Sequence, residues 1–118
     1  MTGAATEAVL RRFNEVFLSH DPTVLNELVA DHCAIENTVP APDGSRHEGR
    51  EACIALWSQI ATTPGTWFEL EDVTVLGDRG IIRWRYHWGE KQSVRGVNLM
   101  RVEDGLIVEA QGYVKGGP

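Results

Sequence analysis

Residues 80–115 constrain this chain more than any other stretch. They hold three runs, 80–88, 93–102 and 106–115, rich in Ile, Val, Trp and Tyr, parted only by Gly89-Glu90-Lys91-Gln92 and by Glu103-Asp104-Gly105. Apolar runs separated by short Gly-containing breaks predict antiparallel strands joined by hairpins, and Asp-Gly is a strong signal of this kind. No helical segment intervenes, so the three strands are expected side by side in one twisted sheet. Ile82, Trp84, Tyr86 and Trp88 alternate with Arg83, Arg85 and His87, and alternation at period two sends the sets to opposite faces. Burying Ile82, Trp84 and Tyr86 is worth roughly 2 kcal/mol each, whereas burying two unpaired guanidinium groups costs several kcal/mol apiece. The aromatic set is therefore expected inward. In the last strand Leu106, Val108, Ala110, Gly112 and Val114 are expected inward, leaving Ile107, Glu109, Gln111, Tyr113 and Lys115 outward. The next-to-last strand is ambiguous, because Arg101 shares a face with Val97 and Leu99 unless a bulge shifts the register.

A one-sided sheet needs a cover, and the first half of the chain supplies helices. Val9, Leu10, Phe13, Val16 and Phe17 recur at three- and four-residue spacing and predict a helix over 6–19, with Arg11, Arg12, Asn14 and Glu15 on the other face. Asp21-Pro22 starts a second, short helix over 22–30. Residues 32–39 read as a strand, 40–45 as a loop punctuated by two prolines and Asp43-Gly44, and 46–48 as a short return strand. A third helix is expected over 49–61, with Ile54, Trp57, Ile60 and Ala61 inward, and a further strand over 67–76. The order predicts an α+β fold, a single domain over 1–118, with a curved antiparallel sheet of four to six strands covered by three helices and a blind pocket between the layers.

Composition narrows the partners. A net charge of −6 and no basic patch argue against nucleic acid. No apolar run approaches the ~20 residues of a membrane span, and the first ten residues lack the basic-then-apolar pattern of a signal peptide. A cytoplasmic location is expected. Cys33 and Cys53 form no Cys-x-x-Cys pair and read as buried apolar residues, though a disulfide between them stays open. His20, His32, His47 and His87 stand singly, so no metal is expected. No phosphate loop, cofactor motif or Gly-x-Ser-x-Gly elbow occurs, and no cofactor is expected.

Residues 13–18, His20-Asp21, 25–30, the run from Asp31 to Asn37, Gly49-Arg50-Glu51-Ala52 and the hairpin from Met100 to Glu109 resemble the nuclear transport factor two-like superfamily, in its SnoaL-like and ketosteroid-isomerase-like branch. The resemblance implies a cystatin-like cone of curved sheet closed by three helices, often dimeric through the outer sheet surface. It covers nearly the whole chain and specifies fold better than function. The isomerase residues do not carry over: the helical Tyr falls on Phe13, the base on Asn37, and the second acid on Val97. The acid that cyclases and epoxide hydrolases of the superfamily carry near the end of the last strand falls on Gly112, and the Arg-x-Asp of the hydrolases meets Arg83-Trp84-Arg85.

Two classes of function follow. One is a cofactor-independent isomerase, cyclase, dehydratase or hydrolase acting on a small apolar substrate, with Asn37 and Tyr86 as oxyanion donors and a base drawn from His47, His87 or Glu36. The other is a non-catalytic ligand-binding or dimerisation module that has lost the acid–base residues. Either way Phe13, Phe17, Trp57, Ile82, Trp84, Val97, Leu99, Ala110 and Gly112 are expected to line the pocket. A homodimer is expected through an outer face carrying Ile107, Tyr113 and Met100.

Overall fold

The computed structural model describes residues 2–116. Helix α1 (Gly3–Ser19) starts at Thr2, whose hydroxyl accepts from the Ala5 amide at 3.1 Å, and ends at His20 in the left-handed conformation. There follow α2 (Leu25–Leu28), β1 (Val29–Glu36), β2 (Arg46–Glu48), α3 (Arg50–Thr62), β3 (Thr66–Leu76), β4 (Arg79–Trp88), β5 (Gln92–Glu103) and β6 (Leu106–Val114). The strands form one open sheet in the order β2-β1-β6-β5-β4-β3. The helices cover its inner face, with α1 over β3 and β4 and α3 against β1 and β2. The α+β architecture and the three final strands match the sequence-based expectation.

Four details differ from it. The second helix is a single turn, because Val29 and Ala30 are buried in an extended strand instead of continuing the helix. β6 pairs antiparallel with β5 but parallel with β1, so the sheet is mixed at that one junction. The register of β5 and β6 shifts where Arg101 faces Glu109 but Val102 faces Ile107, leaving Val108 as the extra residue of a bulge. The bulge turns Ile107 into the core at 0% exposure, and β5 alternation buries Met100 at 2%, so both leave the outer face and of the expected dimer-facing trio only Tyr113, 53% exposed, stays there. Finally, Asn14 is not on the solvent face of α1; it is 6% exposed.

The core runs from Leu10, Phe13 and Phe17 of α1 through Trp57 of α3 to Ile82, Trp84, Met100 and Ala110 of the sheet. Thr6 ties α1 to the β3–β4 turn, its hydroxyl donating to the Gly77 carbonyl at 2.6 Å. His20 holds the end of α1 to the end of α3 through a 2.9 Å hydrogen bond between Nδ1 and the Ala61 carbonyl.

Candidate functional site

Between the helices and the sheet lies a cavity of about 430 Å³, within the range usual for small-molecule sites. Aromatic side chains build its wall. Phe13 meets Phe17 at 5.0 Å and Trp57 at 4.7 Å between ring centroids, both edge-to-face. Phe68 then bridges from Phe17 to Trp84 and Tyr86, and Tyr86 stacks on Trp88. Spacings of this kind are the favoured ones for aromatic pairs. The alternation of β4 predicted this wall: Ile82, Trp84 and Tyr86 all face the cavity, and Arg83, Arg85 and His87 face away.

Two glycines give the cavity its shape. A Cβ at Gly96 would lie 2.5 Å from the Trp84 ring and 2.5 Å from the Tyr113 carbonyl oxygen, so the bare backbone of β5 lets the indole lie over it. The Trp84 Nε1–H then donates to Asn98 Oδ1 at 3.2 Å. A Cβ at Gly112 would lie 3.0 Å from the Thr38 methyl and 3.3 Å from Asn98 Oδ1, so glycine there keeps the floor open.

At the end of β1, Asn37 reaches the cavity. Its backbone N–H donates to the Ser45 carbonyl at 2.8 Å, and the loop from 37 to 45 folds back so closely that a Cβ at Gly44, at φ 78°, would fall 1.6 Å from the Asn37 backbone carbonyl oxygen. Only glycine fits, by space and by backbone conformation alike. The polar side chains lining the cavity are Asn14, Glu36, Asn37, Thr38, Tyr86 and Asn98, with the tryptophan N–H groups beside them. The titratable ones are Glu36 and Tyr86. The Glu36 carboxylate accepts from Arg46 at 3.1 Å on the β2 side of the sheet, which ties it to a cation.

Of the sequence-predicted residues, Phe13, Phe17, Asn37, Trp57, Ile82, Trp84, Tyr86, Ala110 and Gly112 converge on the cavity. Val97 and Leu99 do not, and this corrects the expectation: β5 turns Val94, Gly96, Asn98 and Met100 inward, so Val97, Leu99 and Arg101 share the outer face. His47 also lies outside. It sits on edge strand β2, where Nε2 hydrogen-bonds Ser45 Oγ at 2.8 Å. His87 is on the outer face, stacked on Trp67 and paired with Glu69. Cys33 and Cys53 are free and buried, and burial raises the pKa of both thiols, so neither is an activated nucleophile. Among the described residues no group of three or more His, Cys, Asp or Glu is placed to hold a metal ion.

Sequence reasoning missed Asn14, Asn98 and Phe68. The signals were present: Asn14 stands four residues after Leu10 and three before Phe17, within the apolar stripe, and Asn98 lies two residues from both Gly96 and Met100.

Comparison with known proteins fits this architecture. The family model described as SnoaL-like domain matches residues 10–110. The chain belongs to the SnoaL-like domain family. The SnoaL-like chain is 64% identical to an NTF2-like protein of unknown function from Mesorhizobium loti, whose crystal structure superposes with a TM-score of 0.93 over 97% of this chain and 93% of that one. A candidate ketosteroid isomerase from Kribbella flavida shares the fold at 16% identity and TM-score 0.83, covering 98% of this chain and 82% of that one. A candidate SnoaL-like polyketide cyclase from Jannaschia does so at 19% identity and TM-score 0.79, covering 96% and 87%. No curated protein matches the chain significantly. Among the described residues of this SnoaL-like domain, no helix is long and apolar enough to cross a membrane.

Proposed function

We propose that this SnoaL-like domain binds a small, uncharged, mainly apolar molecule in the cavity between α1, α3 and the sheet. The observation that carries the reading is the lining itself: aromatic and aliphatic walls, neutral amides from Asn14, Asn37 and Asn98, the Tyr86 hydroxyl, one carboxylate, Glu36, that is already paired with Arg46, and, among the described residues, no Lys, Arg or His. An anion entering such a site would lose its hydration without gaining a counter-charge. An acid–base role is less well supported. Asn37 and Tyr86 are sound donors to a developing oxyanion, but the candidate bases are poorly placed: Glu36 lines the cavity but is paired with Arg46, and His47 and His87 do not line it. Carboxylates are absent from positions 37, 97 and 112 as well, so fast isomerisation of a β,γ-unsaturated ketosteroid is not expected.

Calorimetric titration with 1-indanone, a neutral bicyclic probe, tests the proposal. The native chain should bind it saturably with little dependence on salt, Trp84→Ala should weaken binding about tenfold or more, and Arg85→Ala should leave it unchanged. Absence of saturable binding, or loss on Arg85→Ala, would overturn the reading. Pairing of two copies through the outer sheet face belongs to the same proposal, supported by exposed Ile81, Leu99 and Tyr113; sedimentation as a monomer at high micromolar concentration would refute it.

A further inference from the structure

Among the described residues, three large apolar side chains are both exposed to solvent and part of the cavity lining: Val39 at 62%, Trp88 at 37% and Val114 at 42%. They come from the loop after β1, the end of β4 and the end of β6. Bordering cavity and solvent together, they mark its mouth. Exposed apolar area gathered at the opening of a cavity points to something that covers it. The rim continues the interior. Phe17, Phe68, Tyr86 and Trp88 form an unbroken series of ring contacts from α1 to the mouth, the last a 5.8 Å stack at 28°. Along β4 the inward positions 82, 84, 86 and 88 advance about 6.6 Å at each step, so this wall is roughly 20 Å long, well beyond the length of a fused bicyclic molecule. The rim is also held in place. Trp88 pairs with Thr66 on one side and Gln92 on the other, Val114 pairs with Gly96, and the Val39 carbonyl accepts from the Ser45 backbone N–H at 3.0 Å. A surface fixed in this way loses little freedom when it is covered.

We propose that the mouth is a second subsite of the cavity, and that the ligand is an elongated molecule whose outer end is an uncharged aromatic ring, packed on Trp88 and flanked by Val39 and Val114. This rests on the cavity being a small-molecule site, as proposed above, and adds to it the length of the ligand and the class of its outer group. A ring suits the place because aromatic pairs gain energy beyond the area they bury. The outer group is uncharged because these three side chains offer no counter-charge. A second copy of the chain fits the rim less well, since three side chains supply far less than the ~800 Å² per partner that a stable pairing needs.

The experiment compares 1-indanone with 5-phenyl-1-indanone, which adds one ring to the same head, by calorimetry on the native chain, on Trp88→Ala and on Val39→Ser. The native chain should bind the longer probe about tenfold more tightly. Trp88→Ala should lose most of that gain while binding 1-indanone within about twofold of native. Val39→Ser, a change in an exposed loop, should reduce the gain about twofold to threefold and serves as the second variant should Trp88→Ala fold poorly. A gain that survives both variants, or a Trp88→Ala variant that weakens both probes equally, would overturn the proposal. So would a change in sedimentation on Trp88→Ala, by showing that a second copy covers the rim. If the native chain binds neither probe, the small-molecule reading itself fails and this inference with it; if it binds 1-indanone and the added ring brings no gain, the inference alone is lost.

Discussion

The two faces of β4 and β5 are made from alternate residues of the same strands, yet they have opposite electrostatics. Inward stand Ile82, Trp84, Tyr86, Val94, Gly96 and Asn98, every one uncharged. Outward stand Arg83, Arg85, His87, Arg95 and Arg101; of these His87 pairs with Glu69, Arg95 with Glu71, and Arg101 with Asp78 and Glu103. A period of two thus sorts charge from aromatic surface across the thickness of one sheet. The inner face is packed and holds the cavity. The outer face is solvated and holds ion pairs, which contribute little individually. Substitutions on the inner face should therefore act through packing and desolvation, and those on the outer face through weak, screened electrostatics.

The sharpest break in this contrast is Gly96→Val. Its side chain must displace the Trp84 ring and the β6 backbone at Tyr113, so a loss of about 3 kcal/mol is expected in chemical denaturation, at the upper end of overpacking costs. Next is Gly112→Asp, which places a carboxylate at the cavity floor beside Thr38 and Asn98. A loss of about 2 kcal/mol at neutral pH is expected from burying an unpaired acid. Burial raises the folded-state pKa of such an acid, so the folded protein holds its proton more tightly and the deficit should shrink as pH falls. Urea midpoints at pH 7 and pH 5 check the direction.

On the outer face the effects should be smaller. Arg85 lies directly across from Arg95, a like-charge pair that costs rather than contributes. Arg85→Ala should therefore change stability by no more than about 0.5 kcal/mol and can be favourable. The smallest effect belongs to Glu71. The hydrogen bond from Arg95 holds its carboxyl below the usual range, with Arg85 and Arg83 adding attraction. A lowered folded-state pKa gives stability that is present above the ordinary carboxylate value and lost as pH falls through the folded one. Glu71→Gln should flatten the native loss of stability slightly below about pH 4.5, the opposite slope to Gly112→Asp on the inner face.

Where the sequence carried one unambiguous period, the fold and the wall of the candidate site could both be read from it. The β4 alternation of aromatic and arginine residues told inside from outside, and Gly89 and Asp104-Gly105 marked the hairpins. The misplacements share a cause. Val97 and Leu99 are as apolar as the residues that do line the cavity, so hydrophobicity could not choose the β5 register, and the bulge at Val108 moved Ile107 inward against strict alternation. Asn14 was assigned outward by its polarity although its position in the stripe said otherwise. The parallel pairing of β1 with β6 joins residues about 75 apart in the chain, and no local pattern encodes it. His47 was expected at the site because it follows the loop over 40–45, but its strand pairs at the sheet edge.

The central claim, that the sheet presents a neutral, apolar interior to a small molecule, is tested most directly by one matched pair of ligands. Methyl indane-2-carboxylate and indane-2-carboxylate share a skeleton and differ in charge at pH 7. Calorimetric titration of the native chain should show the neutral ester binding at least about tenfold more tightly, with little change on raising the salt concentration. A carboxylate that binds as tightly or more tightly, and weakens steeply with salt, would mean that a cation reaches the cavity and would contradict the account.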